Sequence, residues 1–331
     1  MDTDEQENVR TNQCSSVSIR GSCPSSLSRS GPRGGVVVRM PDFLIIGAQK
    51  AGTSTMYQDL LTNPRVFFPV DKEPHNLADP DVLTPRGRDK YAHLFDGAGE
   101  EQVCGEASTG YTKRPDIDGV AGRALELLGP TAKLIYIVRE PVSRLVSQHH
   151  HMVSENEAPA DFDQAFREIP SLVHYSRYAM QLEPWRAAFG RDAIQVIRFE
   201  QFVRDRQATT AAVCGHLGIE PMPQRISEDE VFNQSSGKPV CKGYWQVIQM
   251  NPVYRRCIRP LFSPRARMWV QERLLPKAPS KLAPPSPDTV ERIIEQVEPD
   301  AVELGRLLGE TEPMWDFDKV REKFAAASSA T

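Results

Sequence analysis

No stretch of this sequence approaches the ~18 consecutive apolar residues of a membrane-crossing helix, so no membrane span is expected. Cysteine is sparse and scattered. The six residues Cys14, Cys23, Cys104, Cys214, Cys241 and Cys257 form no C-x-x-C pair, which argues against a zinc ribbon or a small disulfide scaffold and for free thiols. An excess of positive charge is also missing: a net charge of -4 argues against a broad basic surface for nucleic acid, while leaving room for a local anion pocket. Residues 8–41 contain neither lysine nor acid, only eight serines and five arginines among small and polar residues. That composition cannot build a core, and residues 1–40 are read as a flexible tail. The acidic start MDTDEQE lacks the regions of a signal peptide, so cytoplasmic residence is expected, with an Arg- and Ser-rich organelle transit segment over residues 8–41 as the alternative.

What is present is enough for a substantial core. The chain has 331 residues, 40% hydrophobic, and no internal repeat. Residues 41–47 are a continuous apolar run bounded by Pro41 and Gly47, as in a strand buried on both faces, and residues 53–61 follow with Met56, Leu60 and Leu61 at helical spacing. The alternation recurs with strands near 102–106, 133–138 and 193–199 and helices over 117–128, from Pro141, over 177–189 and over 207–217. This order predicts an α/β fold: a P-loop-like parallel sheet covered by helices on both faces, in a single domain over residues 41–316. Residues 221–286, interrupted by prolines, are read as an irregular helical and loop cover on the acceptor side. Two helices, 288–297 and 300–308, close the fold, Trp315 docks on the core, and 317–331 is a tail.

Ligands in such folds bind beyond the carboxyl ends of the strands, where two informative loops lie. In GAQKAGTST, Gly47 and Gly52 permit close backbone approach, while Thr53, Ser54 and Thr55 bring hydroxyls and N–H groups to a helix start. Lys50 adds a point charge. The spacing is that of G-x-x-x-x-G-K-[ST], but the lysine stands two positions before the second glycine, which disfavours a nucleoside-triphosphate loop. In REPVSRLVS, Pro141 suits a first helical turn, with Arg139 at the sheet edge and Ser147 two turns along on the face of Arg144. Two such loops suggest a nucleotide phosphorylated at two places. The run His149, His150 and His151 is not read as a metal site, because neighbouring helical side chains diverge by about 100°.

These motifs resemble sulfotransferases dependent on 3'-phosphoadenosine 5'-phosphosulfate (PAPS): GAQKAGTST is similar to the family's 5'-phosphosulfate loop and REPVSRLVS to its R-[DE]-P-x-x-R-x-x-S motif. EPHNL, GEASTGY, SRYAMQLEPWRAAFG, RFEQFVRD, FNQSSGKP and AVELGRLLGETEPMW also have counterparts. The resemblance implies PAPS as co-substrate, no metal, and transfer to a hydroxyl (or amine) of a saccharide or small hydroxylated metabolite, without nucleic acid. It implies that Lys50 neutralises the leaving phosphate and that Ala51, Gly52, Thr53, Ser54 and Thr55 cradle the 5' end. Arg139 and Ser147 then take the 3'-phosphate, Tyr178 lies near the adenine, and Lys238 and Lys242 fold over the phosphate. Glu73 matches the family's base, and His75 is the competing base or its orienting partner. Glu106 and Ser108 either contact acceptor or serve a structural cap. Ala78, Ala107 and Thr109 depart from the glycosaminoglycan-type members, which puts heparan-type acceptor specificity in doubt. Two rival readings remain open: a phosphoryl-transferring P-loop enzyme and an inert nucleotide-binding scaffold.

Overall fold

The computed structural model describes residues 39–70, 72–227 and 282–329. Among them lie five parallel strands, β1 (Phe43–Gly47), β2 (Val66–Phe67), β3 (Val103–Ala107), β4 (Lys133–Val138) and β5 (Ile194–Arg198), in the order β2-β3-β1-β4-β5. The apolar run FLIIG is buried at every position because β1 is central, paired with β3 through Phe43–Gly105 and with β4 through Phe43–Lys133. The chain leaves β1 toward β2 and β3, then crosses to β4 and β5. The strand order therefore reverses beside β1, and the loops after β1, β3 and β4 share one sheet edge.

Helices cover the sheet: α1 (Thr53–Leu61), α2 (Pro85–Ala92), α3 (Val120–Leu128), α4 (Pro141–Glu155), α5 (Phe162–Glu168), α6 (Ser171–His174), α7 (Tyr178–Phe189), α8 (Phe199–Arg204), α9 (Arg206–Leu217), α10 (Pro287–Leu308) and α11 (Phe317–Ser329). α1 packs on β1 and α9, and α9 on β4 and β5, while α7 packs with α3 and α10. Among the described residues no helix is long and apolar enough to cross a membrane. Cys104 and Cys214 are buried free thiols; the other four cysteines lie outside the described residues.

Two expectations are corrected at the C-terminal end. Residues 287–308 form one helix rather than two, because the buried stripe Val290, Ile293, Ile294, Val297, Ala301 and Leu304 runs through Pro299 without changing face. The segment read as a tail is helical α11, whose Phe317, Val320 and Phe324 are buried at helical spacing and which packs on α10. Trp315 is buried as expected, its ring 5.7 Å from that of Tyr178. Of the expected cover, residues 228–281 lie outside the described residues.

α1 is tied to α9 by a buried ion pair, with Arg206 Nε 3.1 Å from Asp59 Oδ2 and Nη2 2.5 Å from Oδ1. Burial raises the Asp59 pKa, and Arg206 pulls against that rise. Removing the guanidinium leaves a buried carboxylate without its counter-charge. Arg206→Met is expected to cost about 3–5 kcal/mol of stability, read as a lower urea midpoint at unchanged m-value.

Candidate active site

The loop after β1 turns sharply because two residues take left-handed backbone. Lys50 has φ 68° and Gly52 φ 92°. A Cβ on Gly52 would lie 2.9 Å from the Phe199 ring, so both the φ and the packing require glycine. As N-cap of α1, Gly52 offers no capping side chain to the first-turn N–H groups. Such a helix start suits an anion.

The loop after β4 is fastened to this one. Arg139 Nη1 donates to the carbonyl of Lys50 at 3.1 Å, and its guanidinium lies 4.6 Å from the centre of the Phe199 ring. Tyr178 supports Arg139 from below: its hydroxyl donates to the Arg139 carbonyl at 2.7 Å and accepts from the Arg139 N–H at 3.3 Å. The Tyr178 ring is fully buried, edge-on to Tyr136, so it props Arg139 rather than offering a face to a base. Glu140 caps α4 by accepting from the N–H groups of Val142 and Ser143 at 2.6 and 2.9 Å. Arg144 is also an interior residue, its guanidinium spent on Ser176, Gln148 and the Leu172 carbonyl. Ser147 is half-buried one turn farther on. The histidine run is divided: buried His149 places Nε2 2.8 Å from the Pro159 carbonyl, and the Lys50 charge acts on half-buried His150.

Glu73 stands at the same edge. Its N–H donates to the carbonyl of Ala107, the last residue of β3, at 3.0 Å, and its backbone is left-handed at φ 61°. Lys72 Nζ lies 2.9 Å from Glu73 Oε1 and 3.1 Å from Ser54 Oγ, so one ammonium spans carboxylate and anion loop. Thr109 Oγ1 donates to Glu73 Oε2 at 2.9 Å, and His75 Nε2 lies 3.4 Å from the same oxygen. Burial works against the charge on Glu73, but His75, Lys72 and Thr109 together outweigh it and hold the carboxyl well below the usual carboxylate range.

His75, at φ 56°, is fixed by its N–H donating to Ser108 Oγ at 3.2 Å. Its Nδ1 is buried without a hydrogen-bond partner, against Gly110, where a Cβ would come within 2.7 Å of it. The imidazole thus turns Nε2 to Glu73 and hides its other nitrogen from any acceptor. Glu106 is completely buried, accepting from Ser108 Oγ at 2.6 Å and from the Tyr91 hydroxyl, and burial raises its pKa. With no surface exposed, it holds Ser108, and through it His75.

The fold thus brings together Lys50, Ala51, Gly52, Thr53, Ser54, Thr55, Glu73, His75 and Arg139 at the carboxyl edge of β1, β3 and β4. Lys238 and Lys242 lie outside the described residues. Sequence reasoning missed Lys72 and Thr109. Lys72 was given no role, and Thr109 stood out only as the absence of a proline.

At the switch point of the α/β sheet, then, a glycine-turned helix start stands beside a carboxylate that one lysine bridges to it. The sulfotransferase family profile matches residues 101–224. Heparan sulfate glucosamine 3-O-sulfotransferase 3A1 of Mus musculus is 27% identical over 215 residues, covering 62% of this chain and 52% of that protein. Carbohydrate sulfotransferase 15 of Mus musculus is 24% identical over 252 residues, covering 56% and 45%. A sulfotransferase structure from Alicyclobacillus acidocaldarius superposes with a TM-score of 0.55 at 26% identity, covering 83% of this chain and 98% of the other. The chain is thus similar to sulfotransferases over the spans matched. It spans about half the length of the curated relatives it matches.

Proposed function

We propose that this protein transfers a sulfuryl group from PAPS to a saccharide hydroxyl and releases 3'-phosphoadenosine 5'-phosphate (PAP). The observation that carries this reading is the Lys72 bridge, which sets a carboxylate beside an uncapped, glycine-turned anion loop. When bound, PAPS supplies the sulfuryl group and a phosphate leaving group. Lys50, Ala51, Gly52, Thr53, Ser54 and Thr55 seat its 5' end through backbone N–H groups, hydroxyls and one ammonium. Arg139 and Ser147 take the 3'-phosphate, with Tyr178 holding Arg139 in place and Lys238 and Lys242 as further cations for that group. No metal enters this reading.

Glu73 receives the proton of the acceptor hydroxyl. The burial of His75 Nδ1 supports Glu73 as base and His75 as its orienting partner. As it stands, the carboxylate is a weak base, crowded by donors. Each donor that turns away raises its proton affinity toward the working range, and Lys72 has a second partner in Ser54 to turn toward. Transfer of this kind rests on positioning and fixed charge, which the interlocked loops supply. The saccharide class is supported by the relatives named for heparan sulfate and carbohydrate.

The test is thermal stabilisation by PAP against ATP and 5'-AMP at equal concentration. At 100 times its dissociation constant, PAP should add about 2.7 kcal/mol, and that shift should be lost in Arg139→Ala. A larger shift with ATP would instead favour a phosphoryl-transferring enzyme.

A further inference from the structure

Two segments outside the ligand-seating loops converge on the Arg139–Glu140 peptide. One is the first turn of α8, where Glu200 Oε1 accepts the Glu140 N–H at 2.7 Å. The other is the connection between α10 and α11, where the Trp315 indole N–H donates to Glu200 Oε2 at 3.4 Å. Each carboxylate oxygen of Glu200 thus has its own donor, across 60 and 115 positions of chain. The connection is itself fastened to the end of β5, since Arg198 Nη2 lies 3.3 Å from Glu310 Oε1. Trp315 is buried, its ring 5.7 Å from that of Tyr178, whose hydroxyl serves both the N–H and the carbonyl of Arg139.

Both polar atoms of the Arg139–Glu140 peptide are therefore held by side chains, the carbonyl by Tyr178 and the N–H by Glu200, and Trp315 joins the two holders. A peptide held at both ends of its dipole cannot turn, so the side chain of Arg139 leaves the backbone in one direction. We infer that Glu200, held by Trp315, is a positioning residue of the donor site: it fixes the Arg139–Glu140 peptide so that the Arg139 guanidinium meets the 3'-phosphate. The inference rests on the PAPS reading and adds that recognition of the 3'-phosphate is set through Glu200 and Trp315 rather than by the loop alone. A role as a plain charge predicts the opposite. Glu200 is exposed and its charge acts on Arg139, so by charge alone it would repel a phosphate there and its loss would tighten binding.

The test is calorimetric titration of the full chain with PAP and with 5'-AMP, which lacks the 3'-phosphate, in the wild type, Glu200→Gln, Trp315→Phe and the double variant. The wild type should bind PAP about ten- to hundredfold more tightly than 5'-AMP, the range of one charge-assisted hydrogen bond. A glutamine at position 200 can accept from Glu140 with its carbonyl, but it then turns an NH₂ group toward the indole N–H, donor against donor. Glu200→Gln should weaken PAP about tenfold and leave 5'-AMP near its wild-type affinity. Trp315→Phe keeps a ring against Tyr178 and removes the indole N–H. It should weaken PAP about three- to tenfold and add little in the Glu200→Gln background. In turnover the loss should appear in the KM for PAPS more than in kcat.

Unchanged or tighter PAP binding in Glu200→Gln overturns the inference, because the residue then acts through its charge or not at all. An equal loss of PAP and 5'-AMP overturns it as well, since that marks damage to the whole site. So does an additive loss in the double variant, which separates Trp315 from Glu200. Should Trp315→Phe fail to fold, Glu200→Gln, at an exposed position, still decides. A wild type that binds PAP no better than 5'-AMP overturns the PAPS reading itself.

Discussion

Glu73→Gln is expected to lower kcat by about 10²–10⁴-fold, the usual worth of a positioned general base, while PAP still stabilises the protein. The variant keeps the shape of the side chain and an oxygen to accept from Thr109, and loses the charge that takes a proton and pairs with Lys72. Single-turnover sulfation with excess enzyme separates this loss from slow product release. His75→Ala should cost far less, about tenfold, since its role is to hold the carboxylate. A Glu73→Gln enzyme with wild-type turnover, beside an inactive His75→Ala, would move the base to His75.

A pH dependence accompanies this prediction. The folded-state pKa of Glu73 lies below its unfolded value. The stabilisation from its donors is therefore complete above the ordinary glutamate range and is lost as pH falls through the depressed value. Unfolding free energy should fall less steeply on acidification in Glu73→Gln than in the wild type.

Lys50→Met is expected to cost about 10²–10³-fold in kcat/KM for PAPS, the loss typical of one preorganised group that stabilises developing charge. Met preserves the stem and removes the ammonium. If Lys50 serves the leaving phosphate, most of the loss should fall on kcat, because the charge it meets grows during transfer. A loss confined to the KM for PAPS would mark Lys50 as a binding group only. Sulfate transfer to a fixed acceptor across a range of PAPS concentrations decides between them.

The strands were legible because β1 and β4 are uninterrupted apolar runs, which only a sheet covered on both faces can bury. The loops after β1 and β4 were legible as turns into helices because glycine and proline stand where local backbone geometry demands them. The carboxyl-side chemistry was harder to read. Thr109 reaches Glu73, and Ser108 fixes His75, only because β3 brings both alongside residues 73–75, contacts that cross more than thirty positions of chain. The course of α10 through Pro299 was hidden for a similar reason: a lone proline is outweighed by a long buried stripe, and Asp300 adds tertiary bonds to the N–H groups of Ala179 and Met180, both at 2.9 Å. Local propensity speaks for breaking that helix there, and packing decides otherwise.

Three of the four non-glycine residues with left-handed backbone among the described residues are Lys50, Glu73 and His75; the fourth, Asn156, ends α4. Each of the three occupies a position where glycine would rest more easily, at a cost on the order of 1 kcal/mol apiece. An engineer optimising this chain for heat tolerance alone would be drawn to these sites first. The resulting protein would gain several degrees and lose its proposed chemistry, because its least comfortable residues are the ones assigned to the reaction.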